Sequence, residues 1–424
     1  MLVQLREAQL SEVVDLTIEQ AEALRGETEW FRIQVESDEV EEAKTDRLAL
    51  ELVYVEAGRY QIRAGNFVGV VVAGDITVII RPKINFQHFA YIAAQSFGVP
   101  RSGAQSVQLD DENAFQVLIA RWFLESARHI IPNLLISDYM EVRERVPTKR
   151  GRVHYIPTYR MWLRAQFELD VTHEEFELNH PLNRILRKGL QMVSAIRQLN
   201  QPDRQLALRL LGAMPSVGEM SPADLAAGID RRSHHYETPI QLARCLIAGR
   251  GRALEAGGRK SQTFLVETPL LIESGLRNIL SDHIRECERC PRYEIVSSLG
   301  EVKPDLIFRH SSHKRVGDIK YKVFDSWGDM RTDLYQSVFF AAAYQTHQSV
   351  ILGFTADPSH RLDEVRVGKH RVKGVLWRAS EDVEPHDAAA DVIEQFTEWL
   401  ATESSPNDIG VPANGSPVVD EEIQ

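Results

Sequence analysis

The sequence predicts an α+β protein of several domains, with an N-terminal β-rich domain, a helical middle region and a C-terminal mixed sheet flanked by helices. The first observation is length, because 424 residues correspond to about two or three domains. The second is a change of hydrophobic period, from short β-branched segments before residue 100 to helical spacing over 111–262. The third is a return to mixed helix and strand patterns after residue 263.

These changes of pattern set the predicted domain boundaries. Residues 1–100 are an acidic lead-in followed by a β-rich domain, and residues 101–262 are the mostly helical middle region. Residues 263–380 are the C-terminal domain. Residues 381–424 are an acidic tail, and we expect disorder after about residue 403 because Ser, Pro, Asn, Gly and acids dominate there.

The N-terminal elements follow from spacing and turn residues. A helical lead-in is predicted because four apolar residues recur at roughly helical spacing: Leu10, Val13, Val14 and Ile18. The Ala73-Gly74-Asp75 segment predicts a hairpin turn between strands over 67–72 and 76–80.

Two amphipathic helices are predicted in the middle region, with an irregular basic stretch over 143–164 between them. The first helix places five apolar residues on one face: Phe115, Leu118, Ile119, Trp122 and Phe123. The second does the same with Leu182, Ile185, Leu186, Leu190, Val193 and Ile196, and Asn179 is its candidate cap.

The C-terminal third predicts a helix over 264–287, a strand over 293–300 and then a β-hairpin. A helix over 333–346 and a strand over 348–355 follow. One last amphipathic helix would bury Val392, Phe396 and Trp399.

Charge is distributed unevenly along the chain, whose net charge is −12. Residues 381–424 alone carry −12 and residues 1–50 carry −8, so residues 51–380 carry +8. A basic body is compatible with a polyanionic partner. Three cysteines are too few for a disulfide framework, and no apolar run approaches a membrane span, so we expect a cytoplasmic protein.

The most informative segment is Lys303-Pro304-Asp305, followed after twelve residues by Asp318-Ile319-Lys320. Asp318 and Lys320 are two residues apart on one predicted strand, so their side chains leave the same face, and the hairpin can bring Asp305 beside them. Two carboxylates and the Ile319 carbonyl are oxygen ligands that suit Mg²⁺, or Mn²⁺ in its place. Lys320 could orient a water molecule or balance developing charge. The alternative is a solvated strand face, since Asp-x-Lys on a strand is common by chance.

This arrangement resembles the PD-(D/E)xK nuclease superfamily, and two further residues favour the nuclease domain. Glu273 lies on the preceding predicted helix, where this superfamily often supplies a further acidic metal ligand, although Glu267 could serve instead. Gln336 lies on the following helix and resembles the Gln motif of the RecB-like branch, with Phe340 as its aromatic partner. After the motif, Tyr321 is interpreted as sheet packing and Lys322 as a phosphate contact.

Longer segments resemble the McrC family, the endonuclease subunits of McrBC-type restriction systems specific for modified cytosine. The segments are PDLIFRH with VGDIKYKVF, FVGVVVAGDITVIIRPKI, KRGRVHY and HPLNRILRKGL, and the resemblance covers about residues 50–360. It implies a Mg²⁺-dependent endonuclease acting in phage defence on double-stranded DNA, together with a hexameric McrB-like AAA+ GTPase. The resemblance also implies that the β-rich domain within residues 1–100 is the partner-binding domain and that the chain stimulates the GTPase. It also implies that this chain binds no nucleotide itself. The sequence agrees, because Gly257-Gly258-Arg259-Lys260-Ser261 lacks the spacing of a P-loop.

The basic stretch over 143–164 holds seven Lys/Arg with three interleaved aromatic residues: Tyr155, Tyr159 and Trp162. One interpretation is sequence-independent phosphate contact, with Arg150 and Arg152 as preferred DNA-binding residues. The other is a solvated connector whose aromatic residues belong to the core.

Other readings stay open at this point. Cys287 and Cys290 could hold zinc with His283, His310 or His313, but buried or surface thiols are favoured because the second Cys pair is missing. The chain could also be a non-catalytic activator of an AAA+ ring, or a nuclease acting alone in repair.

Overall fold

The computed structural model describes residues 1–26, 49–56, 58–99, 114–248, 264–291, 294–295, 301–310, 313–324 and 326–402. The predicted disorder after about residue 403 and the lead-in over 27–48 lie outside the described residues. The chain divides into two compact units, Met1–Gly275 and Leu276–Gln424. Both contain helices and sheets, so the protein is a mixed α/β chain with several sheets.

The first unit contains three sheets within its described residues. Its strands are β1 (Leu2–Arg6), β2 (Val14–Asp15), β3 (Leu50–Glu56), β4 (Arg59–Ala64), β5 (Phe67–Ala73), β6 (Ile76–Arg81), β7 (Asp138–Val146), β8 (Arg152–Val153), β9 (Leu169–Glu177) and β10 (Phe264–Glu267). The strand orders are β1-β6-β5-β10, β2-β4-β3 and β7-β9-β8.

Helices occupy much of the rest of the first unit. They are α1 (18–26), α2 (Phe86–Ser96), α3 (Ala114–Ile130), α4 (Tyr155–Trp162), α5 (Pro181–Ser194), α6 (Gln201–Gly212) and α7 (Glu237–Ala248), with 3₁₀ turns at Pro222–Ala226 and His234–Tyr236. The next helix, α8 (Thr268–His283), begins in this unit and ends in the second.

Several predicted elements are confirmed. β5 and β6 pair antiparallel around the turn at Gly74, as the turn residues predicted. The predicted apolar faces of α3 and α5 are both buried. The short-range patterns that gave these elements agree with the tertiary contacts.

The prediction of a helical lead-in was wrong for its first residues. Leu2–Arg6 is a strand, parallel to β6, with Val3 and Leu5 turned inward. By contrast Leu10 and Ile18, which suggested a helical face, are exposed. The alternation of exposed and buried residues over Leu2–Arg6 is the period-two pattern of a half-buried strand.

The prediction of a helix from Phe264 onward was also wrong at its start. Residues Phe264–Glu267 form β10 and pair antiparallel with β5. Gly69 makes this close pairing possible, because a Cβ at that position would lie 1.9 Å from the Phe264 carbonyl oxygen. The helix begins only at Thr268.

The middle region is less helical than predicted. Part of the basic stretch expected to be irregular lies in β7 and β8, which pair with β9, and in α4. The cap of α5 is His180 rather than Asn179, since the His180 side chain accepts a hydrogen bond from the Leu182 N–H. The Asn179 side-chain oxygen instead accepts from the Gly218 N–H, 3.0 Å away.

The second unit is built on a five-stranded mixed sheet. The five strands of this large sheet are β13 (Leu306–His310), β14 (His313–Val323), β15 (Gln348–Thr355), β16 (Val365–Val367) and β17 (His370–Arg378), in the order β13-β14-β15-β17-β16. Two short strands, β11 (Glu294–Ile295) and β12 (Glu301–Val302), pair with each other in a separate sheet. β14, β15 and β17 are parallel, and both edge strands are antiparallel.

Two helices cover the large sheet of the second unit: α9 (Arg331–Ala343), which follows a 3₁₀ turn at Trp327–Met330, and α10 (Pro385–Ala401). α9 packs on Ile307 and Val316 through Phe340. α10 packs on Phe308 through Phe396 and Trp399, and Phe308 alternates with Ile307, so the two helices lie on opposite faces. The predicted last helix is therefore confirmed. None of the helices within the described residues combines the length and apolarity needed to cross a bilayer.

A buried ion pair joins α5 to the 3₁₀ turn at Pro222–Ala226. The Arg184 guanidinium donates to both Asp224 carboxylate oxygens, at 2.9 and 2.7 Å, and Asp224 also accepts from the Ser221 N–H. The hydrogen bonds from Arg184, opposed by burial and assisted by Ser221, lower the pKa of Asp224 to about 2.

We predict that Asp224→Asn lowers the free energy of unfolding by about 3 kcal/mol at pH 7, because it leaves a largely buried guanidinium without its counter-charge. A depressed carboxyl pKa stabilises above the unfolded value of 3.8 and loses its effect as pH falls through about 2. Urea unfolding should therefore show the wild type losing stability below pH 4, and the variant losing less.

The matched control is Glu219→Gln, which removes the ion pair between Arg187 and a carboxylate that is 68% exposed. We expect it to change stability by about 1 kcal/mol or less. Equal losses in the two variants would contradict the importance of the buried pair.

Candidate functional site

The hairpin of β13 and β14 places Asp305 opposite Asp318. Leu306 pairs with Gly317, so the preceding residue, Asp305, lies one position further along, facing Asp318. Asp318 and Lys320 lie on the same face of β14 as Val316, because side chains two residues apart on a strand leave the same face. This is the face that α9 covers, since α9 packs on Val316. The predicted convergence of these side chains on one face is present in the second unit.

Direct contacts tie these residues together. Asp305 Oδ2 accepts a hydrogen bond from the Ile319 N–H at 2.8 Å. Lys320 Nζ lies 2.8 Å from Asp318 Oδ2 and donates to Gln336 Oε1 at 2.9 Å. Gln336 thus reaches the cluster from α9, as its position on the following helix suggested. We call Asp305, Asp318, Lys320 and Gln336 the hairpin cluster.

The packing beneath the hairpin cluster fixes its geometry. Gly317, between the paired strands, has no room for a side chain, since a Cβ there would lie 2.7 Å from Val350 Cγ1. On α9, the Ser337 hydroxyl donates to Ser349 on β15 at 2.9 Å, one residue after Gln336. These close contacts hold the strands and α9 in one arrangement.

Burial sets the electrostatics of the cluster. Asp318 is 1% exposed, and burial, followed by the charge of Asp305, raises its pKa to about 8 although Lys320 acts in the opposite direction. Burial favours neutral Lys320, yet the carboxylates of Asp318, Asp305 and Asp333 outweigh it and raise the Lys320 pKa. The neighbouring protein groups therefore do not fully balance the negative charge of ionised Asp318, and a nearby cation would stabilise the ionised carboxylate.

The donor set of the cluster fits a hard divalent cation. Asp318 Oδ2 is buried, and the Lys320 ammonium lies 2.8 Å from it as an ion-pair partner. Asp305 supplies a second carboxylate, and the Ile319 carbonyl lies where the pairing with β15 shifts register, between Ile319 and Val323. Oxygen atoms of this kind suit Mg²⁺ or Mn²⁺, which also keep bound waters.

The described residues do not bring a third side-chain metal ligand to the hairpin cluster. Among the described residues, no group of three or more His, Cys, Asp or Glu side chains could hold a metal ion. Two carboxylates, a carbonyl and water are what the hairpin cluster itself offers. Glu273 lies in α8, one helical turn before Arg277, and the roles predicted for it or for Glu267 stay predictions.

Two contacts at the cluster were not anticipated. Arg277 Nε donates to the Asp305 carbonyl oxygen at 2.8 Å and so fixes the start of β13 from α8. Asp333, buried at the start of α9, pairs with Lys322 Nζ at 3.2 Å. Lys322, predicted to contact phosphate, is half exposed and already has this partner. The sequence gave no signal for the contact of Arg277, because a single arginine in an apolar helix follows no motif.

The other residues singled out in the sequence do not belong to the hairpin cluster. Tyr321 is buried with its ring edge-on to Phe354, as sheet packing requires. Cys287 is buried, and burial raises the pKa of its thiol to about 12, which disfavours the thiolate that zinc binds. The interpretation of the interleaved aromatic residues as core was wrong, since Tyr155, Tyr159 and Trp162 are all exposed. Arg150 and Arg152 are exposed in the same region.

A family comparison decides what kind of protein this is. The model of the family described as McrBC 5-methylcytosine restriction system component matches residues 62–354, more than half of the chain. The chain belongs to this family. The matched McrBC region contains the whole hairpin cluster.

The chain is also similar to chains in solved structures. One is a chain in a refined half-complex from the tetradecameric assembly of Thermococcus gammatolerans McrB AAA+ hexamers with bound McrC; the TM-score is 0.63 at 16% identity, covering 94% of this chain and 100% of that one. Another is in the T. gammatolerans McrBC complex, with a TM-score of 0.46 at 16% identity, covering 69% of this chain and 89% of that one. At this identity the first likeness shows a shared fold. None of the curated proteins matches the chain.

We predict that the contribution of Asp318 to the stability of the metal-free McrBC-family chain falls as pH rises from about 4 to about 8, because folded Asp318 retains its proton while the unfolded carboxyl loses it. Asp318→Asn cannot titrate, so its stability relative to wild type should increase between pH 5 and pH 8, by on the order of 2 kcal/mol. Urea unfolding in EDTA measures this difference.

The exposed Asp382→Asn serves as control and should follow the wild type at both pH values. Mg²⁺ should stabilise the wild type more at pH 8 than at pH 5, because metal and proton compete for the same carboxylates. A pH-independent difference between Asp318→Asn and wild type would argue against a protonated, buried Asp318.

Proposed function

We propose that this chain is the McrC-type, DNA-cleaving subunit of its restriction system, a Mg²⁺-dependent endodeoxyribonuclease with a PD-(D/E)xK nuclease domain over about 263–380. The observation that carries the proposal is the hairpin cluster: two carboxylates and a lysine converge on one sheet face, and the Asp318 carboxylate is buried beside Asp305 and Lys320. Metal-assisted phosphodiester hydrolysis uses such a combination of hard-metal ligands and a fixed cation.

The residues divide the work as follows. Asp305 and Asp318, with the Ile319 carbonyl, would hold the metal, and Glu273 is proposed as a further acidic ligand. Mg²⁺ bound there supplies Lewis acidity and lowers the pKa of water. Lys320 orients the attacking water or balances the charge that develops on the phosphate oxygens, because its ammonium is held beside Asp318.

Gln336 keeps the lysine in place. Its Oε1 accepts a hydrogen bond from Lys320 Nζ at 2.9 Å, so the ammonium is shared between Gln336 and Asp318 rather than seated on the carboxylate alone. This leaves Asp318 Oδ2 able to serve as a metal ligand. A neutral partner suits that role, since a third carboxylate would compete with Asp318 for the lysine and could bind the metal itself.

Substrate contact would come from cations outside the cluster. Arg150, Arg152 and Lys322 are all exposed and are proposed to contact phosphates of double-stranded DNA without reading its sequence. Recognition of the modified cytosine would lie on the partner.

The proposed partner is a hexameric McrB-like AAA+ GTPase, which this chain would stimulate. Support comes from the absence of a P-loop in the sequence, so that nucleotide hydrolysis must come from another chain. A chain of the same fold was solved in an assembly of McrB AAA+ hexamers with bound McrC.

We predict that Asp305→Ala abolishes DNA cleavage, because it removes a metal ligand. Lys320→Ala should lower the cleavage rate by about 100- to 1,000-fold, as loss of one stabilising group in an active site commonly does. The assay uses the complete complex with GTP, Mg²⁺ and methylated duplex DNA.

The matched controls are Asp363→Ala and Lys369→Ala, two exposed residues in the same unit. Both should cleave like the wild type, and all four variants should still stimulate the GTPase. If the Asp305 and Lys320 variants cut DNA normally while the complex assembles, the chain is an activator of the ring and not its nuclease.

A further inference from the structure

Helix α9 turns two aromatic side chains to solvent next to the hairpin cluster. Tyr335 is 67% exposed and Phe339 is 45% exposed, although the other side of the helix packs on the sheet through Phe340. Within the described part of the second unit, every other tyrosine, phenylalanine and tryptophan side chain is less exposed. We call Tyr335 and Phe339 the aromatic pair.

The spacing of the aromatic pair places it directly beside the cluster. On an α-helix, side chains three or four residues apart are neighbours, with about 5–6 Å between their Cβ atoms. Phe339 is therefore the neighbour of Tyr335 on one side and of Gln336 on the other. Gln336 is exposed and accepts a hydrogen bond from Lys320 Nζ at 2.9 Å. The rings thus border the cluster on the side where the cluster reaches solvent.

The packing of α9 holds the aromatic pair in place. The ring of Phe339 lies 6.2 Å from the ring of Phe340, at an angle of 50°. Phe340 is itself buried among the apolar side chains beneath the helix, and the Ser337 hydroxyl ties the same turn to Ser349 on β15. A surface that is ordered before binding loses little conformational entropy when a ligand docks.

Cations border the aromatic pair. Arg331 is exposed and lies four residues before Tyr335, so the two side chains are neighbours on the helix. Lys322 on β14 is 56% exposed at its side chain. The one acid of α9, Asp333, is buried and paired with Lys322. The solvent face of α9 therefore combines aromatic rings with positive charge, which suits a polyanion.

The size of the aromatic pair favours a nucleobase over a protein surface. An aromatic side chain buries about 150–250 Å², so the two rings at their observed exposures offer on the order of 200 Å². This is about a quarter of the roughly 800 Å² that each partner contributes to a standard protein interface. Stacking on a base needs only one ring face, and it changes affinity by roughly 5- to 150-fold per base.

The state of the DNA follows from the geometry of stacking. In an intact duplex the face of each base is covered by its neighbours, so a protein ring can stack only on a base that has left that arrangement. Apolar side chains that enter between base steps partly unstack them and kink the duplex. A phosphate held at the hairpin cluster would bring its own nucleotide within reach of the neighbouring rings.

We propose that the aromatic pair stacks on a base that is unstacked next to the cut phosphate, and so holds the cleaved strand at the hairpin cluster. This inference rests on the proposed function, which supplies DNA as the substrate. It assigns Tyr335 and Phe339 to substrate binding, without a part in bond cleavage. It also means that cleavage requires local opening of the duplex.

The contact itself is tested by photo-crosslinking in the complete complex, with Ca²⁺ replacing Mg²⁺ to slow cleavage. The duplex carries 5-iodouracil in place of thymine, because this base crosslinks on irradiation to an aromatic side chain stacked on it. Mass spectrometry should find the crosslink on Tyr335 or Phe339. Crosslinks found only on other aromatic residues, or none from a duplex that is bound, would overturn the proposal.

The contribution of the rings is tested by cleavage kinetics with Mg²⁺. Tyr335→Leu combined with Phe339→Leu keeps apolar side chains but removes both rings, and it should lower kcat/KM by about 10- to 100-fold. Tyr335→Phe and Phe339→Tyr keep the rings and should cleave like the wild type. Unfolding temperatures should stay at the wild-type value, because the changed side chains lie at the surface.

The matched control is Tyr54→Leu, which changes a tyrosine of the first unit that is 62% exposed. It should cleave like the wild type. A double leucine variant that cleaves as fast as the wild type would overturn the role of the rings and leave the nuclease proposal intact. A wild type that crosslinks through Tyr335 or Phe339 yet never cleaves would remove the nuclease proposal and keep the stacking contact. Absence of both crosslink and cleavage would remove both proposals.

Discussion

The interaction on which the site depends is the burial of one carboxylate beside another. Asp318 is almost fully enclosed, Asp305 faces it across the hairpin, and one ammonium cannot compensate both charges. Such an arrangement costs stability in a protein without a bound cation, and the surrounding structure must keep it from relaxing. The backbone does this on one side, since the Ile319 N–H holds Asp305.

The rest of the second unit can be understood as support for that arrangement. Arg277 on α8 holds the carbonyl of Asp305, and α9 brings Gln336 to Lys320 and Asp333 to Lys322. α10 closes the opposite face of the sheet with aromatic side chains, so the strands cannot move away from the helices. The contacts from α8 and α9 act on a carboxylate-bearing residue or a lysine, and α10 acts on the sheet that carries them. Together they explain how a short hairpin can keep two carboxyl groups close.

Much of this was predictable from the sequence, and the exceptions have physical reasons. The hairpin and its motif could be predicted because period-two alternation and Asp-x-Lys spacing are local. β1 and β10 could not, since each is a short strand whose identity depends on pairing with a partner far along the chain. The exposure of the apolar face of α4 could not be predicted either, because periodicity shows that a helix is amphipathic without showing which side meets solvent. Arg277 is recognisable only from its contact with a backbone oxygen, which leaves no trace in residue type.

The most direct measurement of the central claim is the position of a divalent ion at the hairpin. Anomalous diffraction from crystals grown with Mn²⁺ should show a peak bound by carboxylate oxygens of both Asp305 and Asp318, and no such peak in Asp318→Asn crystals. An ion bound elsewhere, with the two carboxylates still occupied by Lys320 and the Ile319 N–H alone, would contradict the account.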